Sequence, residues 1–291
     1  MTVMEDAAPA GPGAAASRMA WAKVNLTLHC TGQRANGYHL LDSLVVRVGV
    51  GDALHVAPAE NLTLTISGPR ADGVPTDARN LVLRAAEMLD ADAGRGAALH
   101  LVKHLPAAAG IGGGSADAAA ALQLLSAHWG VPLPADTARL GADVPVCLTR
   151  GPQRMQGVGE ILSLLPPLPA CHIVLVNPGV DVPTPAVFAA LTDKNQPPMP
   201  DVIPIFADFA GFVDFLRLQR NDLAAPAIAR APVIASCLEA LSDAALARMS
   251  GSGATCFGIY ATAKEAETAA HRIKTTAAPN WWVAAAPILV A

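Results

Sequence analysis

Hydrophobic and polar positions change their period repeatedly along this chain. In MAWAKVNLTLHCTG, Val24, Leu26 and Leu28 alternate with polar neighbours, which predicts a strand. A turn signal, Asn36-Gly37, interrupts RANGYHLLDS. SLVVRVGVGDALHVAP and LTLTISG read as two more strands. The period then lengthens: Leu81, Leu83, Ala86 and Leu89 share one face of a helix over NLVLRAAEMLDA, with Asn80 as its cap. ALHLVKHLP predicts a strand ending at Pro106, and a glycine cluster follows. SADAAAALQLLSAHWG predicts a helix with Ser115 as N-cap and Gly130 closing it. ADTARLGADVPVCLT reads as a short helix, a turn and a strand.

The proline-rich LLPPLPA marks a candidate domain boundary. Beyond it, HIVLVNPG reads as a buried strand and TPAVFAAL as a helix with Pro185 at its first position. Helical periods cover 206–220 and 228–242. RMSGSGATCFGIYA reads as strand, glycine turn and strand. AKEAETAAHRIKTT is an amphipathic helix, and WWVAAAPILV a final strand. No repeat is visible. Strands and helices mix without strict alternation, which predicts α+β layers.

At 291 residues, 52% of them apolar, the chain suits two domains with sizeable cores. The boundaries read from sequence are a disordered extension over 1–17, a domain over 18–165 and a second over 166–291. A net charge of −4 with no Lys/Arg cluster argues against a nucleic-acid partner. The longest apolar stretches fall short of a membrane span, and residues 1–17 lack the plan of a signal peptide. Five scattered cysteines, none in a CxxC pair, predict reduced, buried thiols in a cytoplasmic protein rather than disulfides or a zinc site.

Four glycines fill positions 110–114 between a strand and a helix. Glycine lets backbone approach an anion, and a helix N-terminus presents unpaired N–H groups and partial positive charge. Together these suit phosphate. An ordinary flexible turn before a capped helix fits the same residues. The spacing is neither GxxxxGK[ST] nor GxGxxG, and no HRD or DFG signature appears. SGSGAT is a second small-residue turn, which alone reads as a hairpin loop. Lys23 lies within a strand among apolar neighbours, and a buried ammonium needs a partner. Asp143, in GADVPV, could be that partner, or only a turn residue. In a phosphoryl-transfer site the aspartate would accept the proton of an attacking hydroxyl and the lysine would steady the developing charge.

AWAKVNLTLHCTGQRANGYHLLDS, LPAAAGIGGGSADAAAAL, LGADVPV, GVGE, NPGVDVPTPAVF and RMSGSGATCFGIY occur in one order from residue 19 to about residue 260. In these stretches the chain resembles the GHMP small-molecule kinases. The AKVNL and GYHLLDS stretches are similar to the branch that phosphorylates the 2-hydroxyl of a cytidyl diphosphate sugar alcohol for non-mevalonate isoprenoid synthesis. The resemblance implies an N-terminal domain like ribosomal S5 domain 2, carrying ATP and the catalytic pair, and a ferredoxin-like C-terminal GHMP domain, with the active site in the cleft between them. It implies ATP as phosphoryl donor, Mg²⁺ brought with it, no protein metal site, and a monomer or weak homodimer with no membrane partner.

Residue by residue, the resemblance makes Lys23 and Asp143 the catalytic pair. Pro106, Ala107, Ala108, Ala109, Gly110, Ile111, Gly112, Gly113, Gly114, Ser115 and Ala116 match the loop around the ATP phosphates. Asn25, Tyr38 and His39 match substrate positions, the last two near the cytosine, and Phe188 an aromatic on the other side of that ring. Gly251, Ser252 and Gly253 match a turn lining the phosphate region. The sequence departs from the family pattern at Ala107 to Ala109, at Ile111, at Ala116 (often a second serine) and at Val45 (often an aromatic). Tyr38, Phe188 and His39 would give a flat base a stacking platform and a donor–acceptor edge, while for each of them core packing is the plainer role. The rivals are another GHMP kinase, acting on homoserine, mevalonate or a sugar, and a non-catalytic nucleotide-binding protein on the same scaffold. An esterase is disfavoured because GGSAD lacks the second glycine of GxSxG.

Overall fold

A computed structural model describes residues 13–89 and 94–290. The helix-and-strand order begins with β1 (Ala16–Asn25), β2 (His29–Gln33), β3 (His39–Ala57) and β4 (Leu62–Ser67). Helix α1 (Leu81–Leu89), strand β5 (Ala97–Val102) and helix α2 (Gly113–Trp129) follow. A 3-10 turn (Thr137–Arg139), α3 (Val144–Leu148) and the hairpin strands β6 (Gln153–Gly157) and β7 (Ile161–Leu164) come next. The remainder is β8 (His172–Asn177), α4 (Thr184–Ala189), α5 (Phe209–Arg217), α6 (Ala224–Arg230), α7 (Val233–Ala240), β9 (Leu246–Met249), β10 (Cys256–Tyr260), α8 (Ala263–Thr276) and β11 (Trp282–Leu289). The mixture is α+β, as the patterning predicts.

The chain folds as two compact units, each assembled from separate segments. The first holds the described residues up to Ala22, then Gly51–Ala107 and Gly112–Thr149. The second holds Lys23–Val50, Ala108–Ile111 and the residues from Arg150 onward. This division follows contacts, whereas the boundary at LLPPLPA follows composition alone.

In the first unit the end of β3 pairs antiparallel with β5, Ala53 opposite Val102 and Ala57 opposite Ala98. Strand β4 runs parallel on the other edge of β5. Leu54, Val56, Leu99 and Leu101 are buried, whereas His55 and His100 alternate onto the other face. That two-residue period is what a sheet with one covered face requires. Asn80 Oδ1 accepts the Val82 amide at 2.9 Å and caps α1 as expected. Gly130 closes α2 in the left-handed conformation, φ 67°.

In the second unit β8 is central, flanked by β10 and β11, with β9 beyond β10. The first part of β3 pairs with β2 and β6, and β6 with β7. Helices and strands enclose a core that includes Leu28, Val174, Val176, Val187, Ile234, Met249 and Ile273. Helix α8 starts in a capping box between Thr262 and Glu265.

Several expectations are corrected. Residues 1–12 of the expected disordered extension lie outside the described residues, but Gly13 donates its amide to His128 O at 3.0 Å, and Ala16 and Ser17 open β1. PVCL is helical in α3, not a strand, because Pro145 near its start fixes φ for a helix. The expected strand over MAWAKVNLTLHCTG breaks between β1 and β2, where Leu26 donates to Leu44 O and Leu28 to Arg220 O. The helical pattern over 228–242 is cut at Pro232 into α6 and α7. Pro185 takes the second position of α4, after Thr184.

Candidate active site

Lys23 and Asn25 lie two residues apart on β1 and so share one face. Both are buried in the second unit. Lys23 Nζ donates to Asn25 Oδ1 at 2.6 Å, and Asn25 Nδ2 donates to Ser43 Oγ at 2.8 Å. Ser43 Oγ in turn donates to Thr27 O at 2.5 Å, and Thr27 Oγ1 accepts the Leu44 amide at 2.7 Å. The side chains of Lys23, Asn25, Thr27 and Ser43 therefore each have a partner, which burial demands.

The same relay reaches the two glycine turns. The Asn25 amide donates to Ser250 Oγ at 3.1 Å, and Ser250 Oγ donates to Gly110 O at 3.1 Å. The Lys23 amide donates to Ile111 O, and the Thr255 amide to Ala109 O. Gly110, at φ 74°, leaves no room for a side chain: a Cβ there would sit 2.6 Å from Gly253 O. Asn221 Nδ2 donates to both Met249 O and Gly251 O, at 2.8 and 2.9 Å, and so holds the second turn open. Ser252 Oγ bonds Thr184 Oγ1 at 2.7 Å, tying that turn to the start of α4. Lys23, Asn25, Ala109, Gly110, Ile111, Gly251, Ser252 and Gly253 are thus brought together within one unit.

Phe188, on α4, stacks on His39 with ring centroids 4.7 Å apart and an interplanar angle of 24°. His39 Nε2 is buried without a hydrogen-bond partner. Burial, with the Lys194 charge adding to it, holds the His39 imidazole below the usual histidine pKa, so it is neutral at neutral pH. Tyr38 is 65% exposed, its amide bonded to Asn36 Oδ1 in the turn before β3. Arg34 and Glu160 pair at 2.5 Å and join the RANGYH turn to GVGE. Val45 is buried in β3 opposite Gln153.

The first unit carries the rest. Gly112 sits at φ 66°, its carbonyl accepts the Ala116 amide at 2.8 Å, and α2 starts at Gly113. Ser115 is therefore inside the helix, not its N-cap, and no side chain caps α2. The amides of Gly113, Gly114 and Ser115 have no intrahelical acceptor, which is the geometry of an anion seat. A Cβ on Gly141 would lie 3.8 Å from Ser115 Oγ, so the GAD turn borders this helix start. Asp143 occupies the N-cap position of α3 without a side-chain capping bond. Among the described residues, no three or more His, Cys, Asp and Glu side chains are grouped to hold a metal.

Sequence reasoning missed Ser43, Thr184, Asn221 and Ser250 as parts of the site. It also missed Asp42, whose carboxylate takes Arg154 Nε and Nη2 at 2.8 and 2.7 Å while Oδ2 accepts the Met199 amide at 2.9 Å. An Asp-Ser pair inside the apolar run of β3 was the available signal.

Comparison with known proteins identifies the family. Residues 80–152 match the GHMP kinases N terminal domain and residues 208–278 the GHMP kinases C terminal domain. The fold is that of the GHMP kinases, and the chain is an ATP-dependent small-molecule kinase of that class. The 4-diphosphocytidyl-2-C-methyl-D-erythritol kinase of Dinoroseobacter shibae is 58% identical, over 90% of this chain and 91% of that protein. Its counterpart from Paramagnetospirillum magneticum is 51% identical, over 92% and 96%. A crystal structure of 4-(cytidine 5'-diphospho)-2C-methyl-D-erythritol kinase superposes with a TM-score of 0.75 at 31% identity, covering 94% of this chain and all of that one. The chain belongs to the 4-diphosphocytidyl-2-C-methyl-D-erythritol kinase family. Homoserine kinase from Cytophaga hutchinsonii, at 16% identity and a TM-score of 0.67, shares the fold.

Proposed function

We infer that this chain transfers the γ-phosphoryl group of ATP to the 2-hydroxyl of 4-diphosphocytidyl-2-C-methyl-D-erythritol, a step of non-mevalonate isoprenoid precursor synthesis. The observation that carries the reading is the hydrogen-bonded join of Lys23 and Asn25 to Gly110 and Ser250, in a chain of this family.

Asp143 takes the hydroxyl proton as the oxygen attacks the γ-phosphorus. The bond from γ-phosphorus to its bridging oxygen breaks, and ADP leaves. Lys23 balances the charge that builds on the transferring group. Residues 106–116 wrap the phosphates, with the free amides at the start of α2 as donors. That uncapped start suits a polyphosphate, and the Ser115 hydroxyl is the side chain on hand for the Mg²⁺ that ATP brings. The ion supplies charge neutralisation on the phosphates. Asn25 orients the substrate, and Gly251 to Gly253 line its phosphate side. Tyr38 offers an exposed face to the cytosine, Phe188 closes the pocket, and the unpartnered His39 Nε2 meets the base edge.

We place the enzyme in the cytoplasm as a monomer or weak homodimer, without nucleic-acid or membrane partners. No helix among the described residues is long and apolar enough to cross a membrane. The test is ADP release from Mg-ATP with the cytidyl substrate, beside homoserine, mevalonate and galactose. Turnover with the cytidyl substrate alone is expected. Turnover with another alcohol would overturn the cytosine pocket, and none at all would overturn catalysis.

A further inference from the structure

After its opening Gly-Gly-Ser, helix α2 carries a run of buried alanines broken by one charged residue, Asp117. It is only 4% exposed. Its Oδ2 accepts from Lys103 Nζ at 2.7 Å, and its Oδ1 has no partner. Lys103 Nζ also donates to Asp52 Oδ2, in the closest contact of the cluster. Asp52 is fully buried, and its Oδ1 accepts the amides of His104 and Leu105 at 2.5 and 2.9 Å. Lys103 to Leu105 lead into the glycine loop, and Asp117 lies just after it. Both ends of the loop are therefore tied to one buried carboxylate–ammonium–carboxylate cluster, all within the first unit.

Such a cluster is a poor device for stability. Removing three charges from water costs more than their attraction reliably returns, and apolar residues of similar volume serve a core as well or better. Two carboxylates around one ammonium also leave a charge imbalance. Burial, with Asp52 nearby, lifts the Asp117 carboxyl to about 7, against the pull of Lys103. Burial lowers Lys103, and the two carboxylates outweigh it, so its pKa stands above the ordinary lysine value. What the cluster provides is direction: three fixed hydrogen-bonding groups that admit one relative placement of the strand end and the helix start.

We propose that Asp117 is a positioning residue for ATP: through Lys103 and Asp52 it fixes both ends of the glycine loop, so that the amides at the start of α2 are set before the phosphates arrive. This rests on the reading of residues 106–116 as the phosphate cradle.

The test is steady-state kinetics of Asp117→Ala and Asp117→Asn, with thermal melts to confirm folding. In Asp117→Ala, KM for ATP should rise about tenfold while KM for the cytidyl substrate stays within about twofold. Asp117→Asn keeps an acceptor for Lys103 and should bring KM for ATP back to within about threefold of the parent. A folded Asp117→Ala with unchanged KM for ATP, or with both KM values raised together, overturns the proposal. If Asp117→Ala does not fold, Asp117→Ser carries the test with the same outcomes. Failure of both to fold assigns Asp117 to the fold alone and overturns it too. Hydrogen exchange of the parent enzyme with a non-hydrolysable ATP analogue separates the underlying reading. Protection of the amides of Gly113 to Ser115 supports the cradle whatever Asp117 does, and its absence removes the cradle itself.

Discussion

Two parts of the second unit handle polarity in opposite ways. Around Lys23 the polar groups are buried, and Asn25, Ser43, Thr27, Ser250 and Gly110 answer one another by hydrogen bonds. Around Tyr38 the ring stands in solvent, and His39 keeps a buried nitrogen with no partner. The first part is complete within the chain; under the proposed function the second is completed by the ligand. Phosphoryl transfer gains from groups that need no reorganisation as charge develops. Recognition of a flat base gains from a face and an edge left open. A mutation in the first part should therefore cost stability or turnover, and one in the second should cost substrate affinity.

The largest test breaks the scaffold behind the buried part. Arg154→Met leaves Asp42 as a buried charge without its guanidinium, and about 3–5 kcal/mol of stability should be lost. Chemical denaturation measures it, and an unchanged midpoint would detach Asp42 from the scaffold. Asp143→Asn comes next. Turnover should drop about 10²-fold or more for a lost general base, with ATP affinity and melting temperature held. Unchanged kcat would mean that Asp143 is not the base.

Smaller effects sharpen the recognition side. Tyr38→Ala should raise KM for the cytidyl substrate by the loss of about 1–3 kcal/mol of stacking, leaving KM for ATP alone. Equal changes in both would take Tyr38 out of the cytosine pocket. The smallest effect follows pH. The His39 pKa is lowered from 6.5, chiefly by burial, so the folded chain keeps a neutral ring where a free imidazole is already half protonated. As pH falls through that lowered pKa, His39 gains a proton and loses its acceptor. KM for the cytidyl substrate should then rise below pH 6.5 while KM for ATP stays flat, and His39→Gln should abolish the rise. The same linkage makes His39 oppose folding as pH falls, because the unfolded chain binds its proton first.

Periodicity alone made much of this fold legible. The Asn80 cap, the Gly130 stop and the strand–turn–strand around SGSG are local signals, and local physics decides them. Ser115 was misplaced because a glycine in the left-handed region, Gly112, three residues before the expected N-cap, opened the helix earlier. PVCL looked like a strand because apolar residues dominate it, yet Pro145 and a short connection made it helical. Strands β6 and β7 escaped notice because QRMQG is polar and gains its register from pairing with β3 and β7. The site divides along the same line. Lys23 stood out as an ion in an apolar strand and the glycine turns as small-residue clusters, while the resemblance supplied Asn25. Ser43, Ser250 and Thr184 stayed hidden, because cross-strand and loop-to-loop partners far apart in the chain are set by tertiary pairing.

The most direct test of the central claim is phosphorus NMR of the product formed from Mg-ATP and 4-diphosphocytidyl-2-C-methyl-D-erythritol. One new phosphomonoester on the 2-oxygen, with the cytidyl diphosphate intact and one ADP released for each, is the predicted result. A phosphate on another oxygen, or ADP formed without a phosphorylated alcohol, would contradict the account.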